Sequence, residues 1–409
     1  MRERLIFHID VNSAFLSWTS VKRLSEGKSD LRLIPAVIGG APDRRTSVVL
    51  AKSMPAKKFN IHTGEPMSAA LKKCPSLVVA PPDFDYYHKS SHRFINMIKE
   101  YAPVVEQVSI DECFADFTGT SYIYPDPLAL ADEIRERVKK ELGFTVNVGL
   151  AHNKLLAKMA SDFEKPDKTH TLFEDEIEKK MWPLPVGDLL FVGRSSALTL
   201  NSNGIHTIGD LAHADISVLK RLFGEKEALS LKEFASGKSD SPVLLHPEES
   251  KGYSVMTTFE EDIVTPESAY EVLLDLTNEV SYRMRFDGWR ARVVGVRIRS
   301  GNYSVRVNRT HQRTLDNATD STAVIFKNAK ELFDELWDKK TGLRLIGIFL
   351  TNITKEKNVQ LSLFKDEKAD EKEEKAEEAM DMIRRKFGID SIRLGAGKIS
   401  SRKSREDMK

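Results

Sequence analysis

Short apolar runs alternate with helical patterns over the first 168 residues of the chain. Residues 34–39, 47–51, 77–80 and 146–150 form brief apolar runs of the kind found in strands. Residues 87–101 and 127–142 instead repeat their apolar positions with the helical period. This alternation predicts a mixed α/β domain over residues 1–168.

The next part of the chain, residues 169–236, predicts a small helical domain. From about residue 172 its apolar residues follow only the helical period, with helices predicted at 185–200 and after Thr207. Gly193 and Gly204 are expected to break these helices. A polar stretch without apolar periodicity follows at 237–250, and we interpret it as a linker.

Residues 251–355 predict a second mixed domain. Strand patterns, the last three at 291–299, 303–309 and 343–352, alternate with helical patterns at 266–284 and 322–337 in the order β-α-β-β-α-β. The tail, residues 356–409, contains a run of Lys, Glu and Asp from 365 to 381 whose composition cannot bury a core.

Composition narrows the possible environments. The 409 residues include 62 basic and 61 acidic side chains, so binding to nucleic acid would need an uneven distribution of charge. Only Cys74 and Cys113 are present, at a spacing that fits neither zinc nor a disulfide framework. No segment reaches the length of a signal-peptide core or a membrane span, and we expect a cytoplasmic protein without membrane contact.

Three carboxylates lie at the ends of strand-like runs. Asp10 closes the N-terminal apolar run, and Asp111 with Glu112 lies inside the apolar segment 108–114. Acidic residues are depleted in strands and rarely buried without a partner, so this placement suggests a divalent cation site. From composition alone, a turn at Asp111 and a solvated edge residue at Glu112 remain an equal alternative.

The motifs around these carboxylates decide between a cation site and a turn with a solvated edge residue. In order and spacing the chain resembles the DinB-like, lesion-bypass DNA polymerases of the Y-family over residues 1 to about 355. The resemblance rests on five segments, which are His8 to Phe15, Ala56 to Phe59, Ser109 to Glu112, Asn153 to Asp162, and Lys165 with Pro166.

This resemblance implies an α+β multidomain fold shaped like a right hand. Its palm and small fingers would occupy residues 1–168, with the fingers at about 17–77, and its helical thumb residues 169–236. After the linker at 237–250, the β-α-β-β-α-β domain at 251–355 would be the little finger, and 356–409 the tail. The implied activity is template-directed addition of deoxynucleotides to a primer, with synthesis past damaged bases.

The resemblance also implies the metal site. Asp10, Asp111 and Glu112 would be the catalytic carboxylates and would bind two Mg²⁺ ions, with the backbone carbonyl of Val11 as a further ligand. Hard oxygen ligands suit Mg²⁺, which agrees with the count of carboxylates in the pattern.

Further positions of the resemblance concern the nucleotide. Phe15 falls where the family has its steric gate against ribose, although a core aromatic is the commoner role of phenylalanine. Lys57 and Lys165 occupy positions that reach the triphosphate. The chain departs from the family pattern at Lys57, Met54 and Ala51, where Arg, Tyr, and Thr or Ser are expected; Lys52 or Ser53 could share the grip on phosphate.

Two regions are candidates for binding the DNA backbone. Residues 190–208 resemble a helix-hairpin-helix in which Gly193 is kept and Phe191 replaces the other glycine, so a purely structural hairpin remains an alternative. Nine arginines fall between Arg283 and Arg313, and strand alternation would place several on one face. The DNA-binding candidates there are Arg297, Arg299, Arg306 and Arg309.

The tail contains a pentapeptide of the form that binds the bacterial sliding clamp, at Gln360, Leu361, Ser362, Leu363 and Phe364. The predicted partners are therefore primer-template DNA, deoxynucleoside triphosphates and the clamp, and we expect a monomer. A two-metal phosphodiesterase or nucleotide cyclase is the first alternative function. A non-catalytic DNA-binding scaffold is the second.

Overall fold

The computed structural model describes residues 4–246, 248–300, 307–356, 367–388 and 391–392. The chain divides into two compact units at about residue 247, with the short segment 44–46 assigned to the second unit. None of the helices in the described ranges combines the length and apolarity that crossing a membrane requires.

The first unit begins with alternating strands and helices, as its sequence pattern predicts. In chain order these are β1 (Ile6–Val11), α1 (Ala14–Ser25), β2 (Ala36–Gly39), β3 (Val49–Lys52), α2 (Met54–Lys57), α3 (Met67–Lys73), β4 (Val78–Ala80), α4 (Phe84–Lys99), β5 (Val104–Gln107), β6 (Glu112–Asp116), α5 (Pro127–Leu142), β7 (Val146–Ala151), α6 (Lys154–Ser161) and β8 (Thr169–Thr171).

Two sheets organise these elements. The larger has the order β5-β6-β1-β7-β8. The smaller has the order β3-β2-β4; β2 and β3 lie in the segment predicted as fingers, about 17–77, and β4 begins just beyond it. The central strands β1 and β7 are buried almost throughout, since α4, α5 and α6 cover the larger sheet. Because β8 pairs in parallel with β7, the sheet continues to Thr171, beyond the boundary predicted at residue 168.

The rest of the first unit is helical, with α7 (Arg194–Ser202), α8 (Ile208–His213), α9 (Ile216–Phe223) and α10 (Glu225–Ala235). The single helix predicted at 185–200 is wrong, since only a 3₁₀ turn at Val186–Asp188 precedes α7. Phe191 has a φ of 74°, which no helix can include. The helix predicted after Thr207 is confirmed, and Thr207 with Asp210 forms its capping box.

The second unit has the predicted order β-α-β-β-α-β and one further helix. Its elements are β9 (Gly252–Ile263), α11 (Pro266–Phe286), β10 (Arg290–Ser300), β11 (Val307–Thr319), α12 (Thr322–Leu336), β12 (Leu343–Thr354) and α13 (Glu367–Phe387). The antiparallel sheet has the order β11-β10-β12-β9, and α11 and α12 cover one face of it. The α+β multidomain fold class is thereby confirmed.

Candidate active site

Asp10, Asp111 and Glu112 lie close together at one end of the larger sheet. In the antiparallel register of β1 and β6, Asp10 is directly opposite Glu112. Asp111 lies in the bend just before β6, and its carbonyl oxygen accepts a 2.9 Å hydrogen bond from the amide of Val11. The backbone therefore brings together all four residues that the sequence analysis assigned to metal binding.

Each of these three carboxylates is held through one oxygen by one or more side chains. The other oxygen of each carboxylate has no hydrogen-bond partner in the part of the chain that the structure describes. The site thus presents three carboxylate oxygens with free lone pairs. The holding contacts are from Lys165 Nζ to Asp10 Oδ2, from Ser109 Oγ to Asp111 Oδ1 (2.6 Å), and from Lys158 Nζ to Glu112 Oε2 (2.5 Å).

Two of the carboxyl groups have opposite pKa shifts. Burial raises the pKa of Asp10, and the ammonium of Lys165 offsets this only in part. Contact with His8, and then with Lys158, lowers the pKa of Glu112 to about 2, although burial opposes the shift. Glu112 is therefore a firmly ionised carboxylate at neutral pH, whereas the charge on Asp10 depends more on neighbouring cations.

The donor set fits Mg²⁺ in its chemistry, because carboxylate oxygens are the ligands that this ion prefers. Among the described residues, no group of three or more His, Cys, Asp and Glu side chains is already arranged to hold a metal ion. The physical reason is that each carboxylate is directed toward its own ammonium or hydroxyl partner. The strand register brings the three carboxylates close together, and their free oxygens are ligands of the type that Mg²⁺ prefers.

A buried amide network holds the loop that carries Lys165. Asn147, fully buried in β7, donates to the carbonyl of Glu164 (2.7 Å) and accepts from the side chain of Asn12 (3.0 Å). Asn12 in turn accepts from the amide of Asp167 (2.9 Å). The sequence analysis gave neither asparagine a role, although asparagine inside an apolar strand is unusual enough to have indicated one.

Phe15 lies in the first turn of α1 and is half-buried. Its ring stacks on Tyr87 with centroids 4.7 Å apart and planes 8° from parallel, and it meets Phe84 edge-on at 5.9 Å. One face of the ring is thus fixed by packing while part of the side chain remains accessible. The packing role that the sequence analysis considered is therefore present, and the accessible part of the side chain is what the gate role would require.

The residues of the small sheet and its helices that were expected to bind phosphate differ in their exposure to solvent. Met54 and Lys57, at the two ends of α2, are exposed. Ser53 is buried, donates to the carbonyl of Ile34 (2.7 Å) and caps α2, so the suggestion that it shares the grip on phosphate is wrong. Lys52 donates to the carbonyl of Ile61 (2.6 Å), which leaves Lys57 as the more available cation.

The hairpin before α7 keeps only part of the predicted motif. Gly193 is the N-cap of α7, and a Cβ built on it would meet nothing within 4 Å. Phe191 adopts a left-handed φ of 74° where the motif usually has glycine, and its side chain is 66% exposed. The turn therefore keeps the glycine-like backbone while carrying a bulky side chain at a cost of about 1–2 kcal/mol.

The arginines of the second unit fall into two groups. Among the described residues, three of the nine arginines between Arg283 and Arg313 are paired with acids inside the unit and do not contribute to a free cationic face. The side chains of Arg297 and Arg299 instead donate hydrogen bonds to Thr310 and Asn308, on the face opposite the buried β10 side chains. The paired arginines are Arg285 with Glu377 and Asp381, Arg290 with Asp320, and Arg313 with Glu331 and Glu335.

The remaining candidates are less informative. Arg309 is exposed but donates to the carbonyl of Leu336 (3.0 Å). Arg306 lies outside the described residues, as does the whole clamp-binding peptide at 360–364. The sequence analysis gave no role to Ser109, Lys158 or His8, although all three lie inside the motifs that carried the resemblance.

Comparisons with known proteins agree with this geometry. The impB/mucB/samB family model matches residues 9–162, and the model of that family's C-terminal domain matches residues 250–363. DNA polymerase IV of Clostridium acetobutylicum is 43% identical over 390 residues, covering 95% of this chain and 97% of the relative. DNA polymerase IV 1 of Bacillus subtilis is 36% identical, covering 97% and 93%.

A solved Y-family DNA polymerase chimera has the same fold, with a TM-score of 0.72 over 86% of this chain and all of that one, at 21% identity. The sheet register, the three carboxylates and these similarities define a polymerase of the Y-family. Within it the chain belongs to the DinB-like branch and is a DNA-directed DNA polymerase acting on primer-template DNA and deoxynucleoside triphosphates. This decides against the cyclase, phosphodiesterase and scaffold alternatives.

Proposed function

We propose that this polymerase works by two-metal-ion chemistry at Asp10, Asp111 and Glu112, with Mg²⁺ as the ion. The observation that supports the proposal most is the register that sets Asp10 opposite Glu112, with a free oxygen on each carboxylate. Two ions held there and by the Val11 carbonyl would neutralise charge on the attacking hydroxyl and the leaving pyrophosphate.

The chain's own side chains would orient the nucleotide. Lys165 and Lys57 would hold the triphosphate as point charges, and Phe15 would exclude the 2′ hydroxyl of a ribonucleotide. Met54 would contact the nucleotide only through dispersion, because a thioether is at most a weak acceptor. This combination predicts a comparatively loose grip on the triphosphate.

For the domains we propose a palm formed by the larger sheet, which ends at Thr171, and fingers at about 17–77. The thumb would then occupy 172–236, the linker 237–250 and the little finger 251–355. The amide end of α7 after Gly193, together with Arg297 and Arg299, would contact DNA phosphates without reading bases. Arg306 and Arg309 remain further candidates.

The biological role we propose is translesion synthesis in the cytoplasm by a monomer recruited to the sliding clamp. The support is the similarity to DinB-like enzymes and the form of the peptide at 360–364. Fingers built from a small three-stranded sheet and short helices would leave room for a damaged template base.

Primer extension with Mg²⁺ on intact and lesion-bearing templates tests the proposal. The parent protein should extend both, and the double variant Asp111→Ala, Glu112→Ala should lose at least about a thousandfold in rate, or roughly 4 kcal/mol. Asp116→Asn, at the far end of β6, is the matched control and should keep its activity. Full extension by the double variant would refute the metal site, and arrest of the parent at every lesion would refute the translesion role.

A further inference from the structure

Lys158 belongs to one of the motifs that carry the family resemblance, yet it contacts protein. Its ammonium lies 2.5 Å from Oε2 of Glu112, and both side chains are largely shielded from solvent, at 22% and 18% exposure. Lys158 is more shielded than Lys165, whose side chain beside Asp10 is 35% exposed, so Lys158 is the less available of the two to a phosphate. Its role must therefore be sought in what it does to Glu112.

Close packing of α6 on β7 brings Lys158 to Glu112. A Cβ built on Gly149 would overlap the carbonyl of Ala157 and the amide of Ser161, so only glycine allows α6 this close to the strand. Asn153 caps α6 by accepting from the amide of Leu156 (2.9 Å). The position of Lys158 is thus set by the backbone.

A second contact closes on the same carboxylate oxygen. Ser161 donates to the carbonyl of Lys158 (2.8 Å), and its Oγ also lies 2.7 Å from Nδ1 of His8. This fixes the ring of the fully buried His8 with Nε2 turned toward Glu112 Oε2, at 3.4 Å. Lys158 and His8 therefore confine one oxygen of Glu112 between them and leave the other without a partner.

The same helix supplies an internal comparison. Lys154, one turn earlier, forms an ion pair of 2.7 Å with Glu106. The exposures of that pair, 16% and 17%, nearly equal those of Lys158 and Glu112. Lys154 thus has the same charge, helix, type of partner and burial as Lys158 but does not touch a proposed metal ligand.

From this geometry we propose that Lys158, supported by the Ser161–His8 pair, is a positioning residue that orients Glu112 for metal binding. The proposal rests on the assignment of Glu112 as a metal ligand. By holding Oε2, Lys158 restricts the rotation of the Glu112 carboxylate before any ion binds. The conformational entropy that Glu112 would otherwise lose when Oε1 binds an ion is then already lost in the free protein. Partners that hold metal ligands in this way are typically worth ten- to a hundredfold in metal affinity or activity.

Lys158 has two opposite effects on metal affinity, so the proposal predicts the direction in which metal affinity changes when Lys158 is replaced. Its positive charge repels a cation at the site, whereas its hydrogen bond orders the ligand. If orientation dominates, removal of the ammonium weakens metal binding. If charge repulsion dominates, removal strengthens it.

The test uses the full-length protein with a dideoxy-terminated primer-template and the complementary deoxynucleoside triphosphate, titrated with Mn²⁺ and followed by electron paramagnetic resonance. Lys158→Met should raise the Mn²⁺ Kd about tenfold, and Lys158→Arg should stay within about threefold of the parent. With an extendable primer and Mg²⁺, Lys158→Met should lower kcat about ten- to a hundredfold with little change in nucleotide KM.

Lys154→Met is the matched control and should leave the Mn²⁺ Kd and kcat within about threefold of the parent, since it loses an equivalent ion pair elsewhere. Equal losses in the Lys154 and Lys158 variants would show a merely structural role and overturn the proposal. Unchanged or tighter Mn²⁺ binding in Lys158→Met would overturn it as well. Glu112→Gln separates the two proposals, because normal Mn²⁺ binding and activity in that variant would refute the metal site itself.

Discussion

The ring of Phe15 is held on one face by Tyr87 and at its edge by Phe84. Because packing fixes the ring, it cannot move aside cheaply for an additional hydroxyl. Phe15→Ala should therefore raise the ratio of kcat/KM for ribonucleotide over deoxynucleotide by at least about tenfold, near 1.4 kcal/mol, in single-nucleotide insertion. Phe84→Ala removes only the edge contact and should raise this ratio by less than Phe15→Ala, because Tyr87 still holds one face of the ring. Equal ratios in the parent and Phe15→Ala would contradict the gate.

Lys57 offers a second test at the level of a single side chain. It is exposed at the end of α2 and forms no ion pair in the described part of the chain. A guanidinium can bind phosphate through two parallel hydrogen bonds, so Lys57→Arg should lower the nucleotide KM severalfold and Lys57→Ala should raise it. Steady-state kinetics with Lys58→Ala and Lys58→Arg, at the neighbouring position, provide the control, and matching effects at both positions would rule out a specific contact.

At the level of elements, the helix α13 is tied to the second unit by buried charges. Arg285 on α11 lies 2.7 Å from Asp381 and 3.4 Å from Glu377, and all three side chains are at most 14% exposed. Burial raises the pKa of Glu377, although Arg285 opposes this shift. The sequence analysis did not predict that a helix of the tail would be docked, because the contact is made by charged side chains that in isolation indicate a solvated segment.

Arg285→Met leaves Glu377 with only Thr322 and Asp381 with only Arg384 among the described residues, and loss of one partner of a buried ion pair typically costs about 3–5 kcal/mol. We expect α13 to lose protection in hydrogen exchange while the sheet of the second unit keeps it, because this cluster joins the helix to α11. Arg283→Met, on the same helix but exposed and bonded only to the carbonyl of Ser254 among the described residues, should change little. Undiminished protection of α13 in Arg285→Met would show that apolar contacts hold the helix.

Other elements show where the apolar pattern of the sequence is sufficient to predict a helix or strand and where it is not. The strands β1 and β7 and the helices α5 and α12 follow from local periodicity, since each buries one continuous apolar set. The predicted helix at 185–200 failed because the left-handed backbone at Phe191 depends on the hairpin geometry and not on the residue type. The short strand β8 was missed because its place in the sheet comes from pairing with β7.

For the whole molecule, the proposed clamp-binding peptide, residues 360–364, comes after the end of β12 at Thr354 and before the start of α13 at Glu367 in the sequence. Changing Leu361, Leu363 and Phe364 together to Ala should abolish stimulation by the clamp, because these are the apolar anchors of the peptide. Distributive synthesis on a short primer-template should remain at the parent rate. Lys365→Ala is the control next to the peptide; persistent stimulation of the triple variant would place the clamp contact elsewhere.

Across the molecule, the fold class and the choice of Asp10, Asp111 and Glu112 as residues that lie close together were accessible from local pattern and motif spacing. Local pattern and motif spacing both depend on which residue types occur at fixed separations along the chain. These separations can be read directly from the sequence. The partners of the carboxylates were not accessible in this way. Ser109 lies two residues from Asp111, but Lys158 reaches Glu112 across 46 positions of sequence and Lys165 reaches Asp10 across 155.

These long-range contacts exist only once α6 has packed on β7 and the Lys165 loop has been fixed by Asn147 and Asn12. The same is true of the arginines, whose number is visible in the chain while their division into paired and free is not. Electrostatic environment depends on distance in space and on burial, and tertiary packing determines both. Local sequence thus determined which residues carry charge, and the folded structure decided which of those charges are available to a substrate.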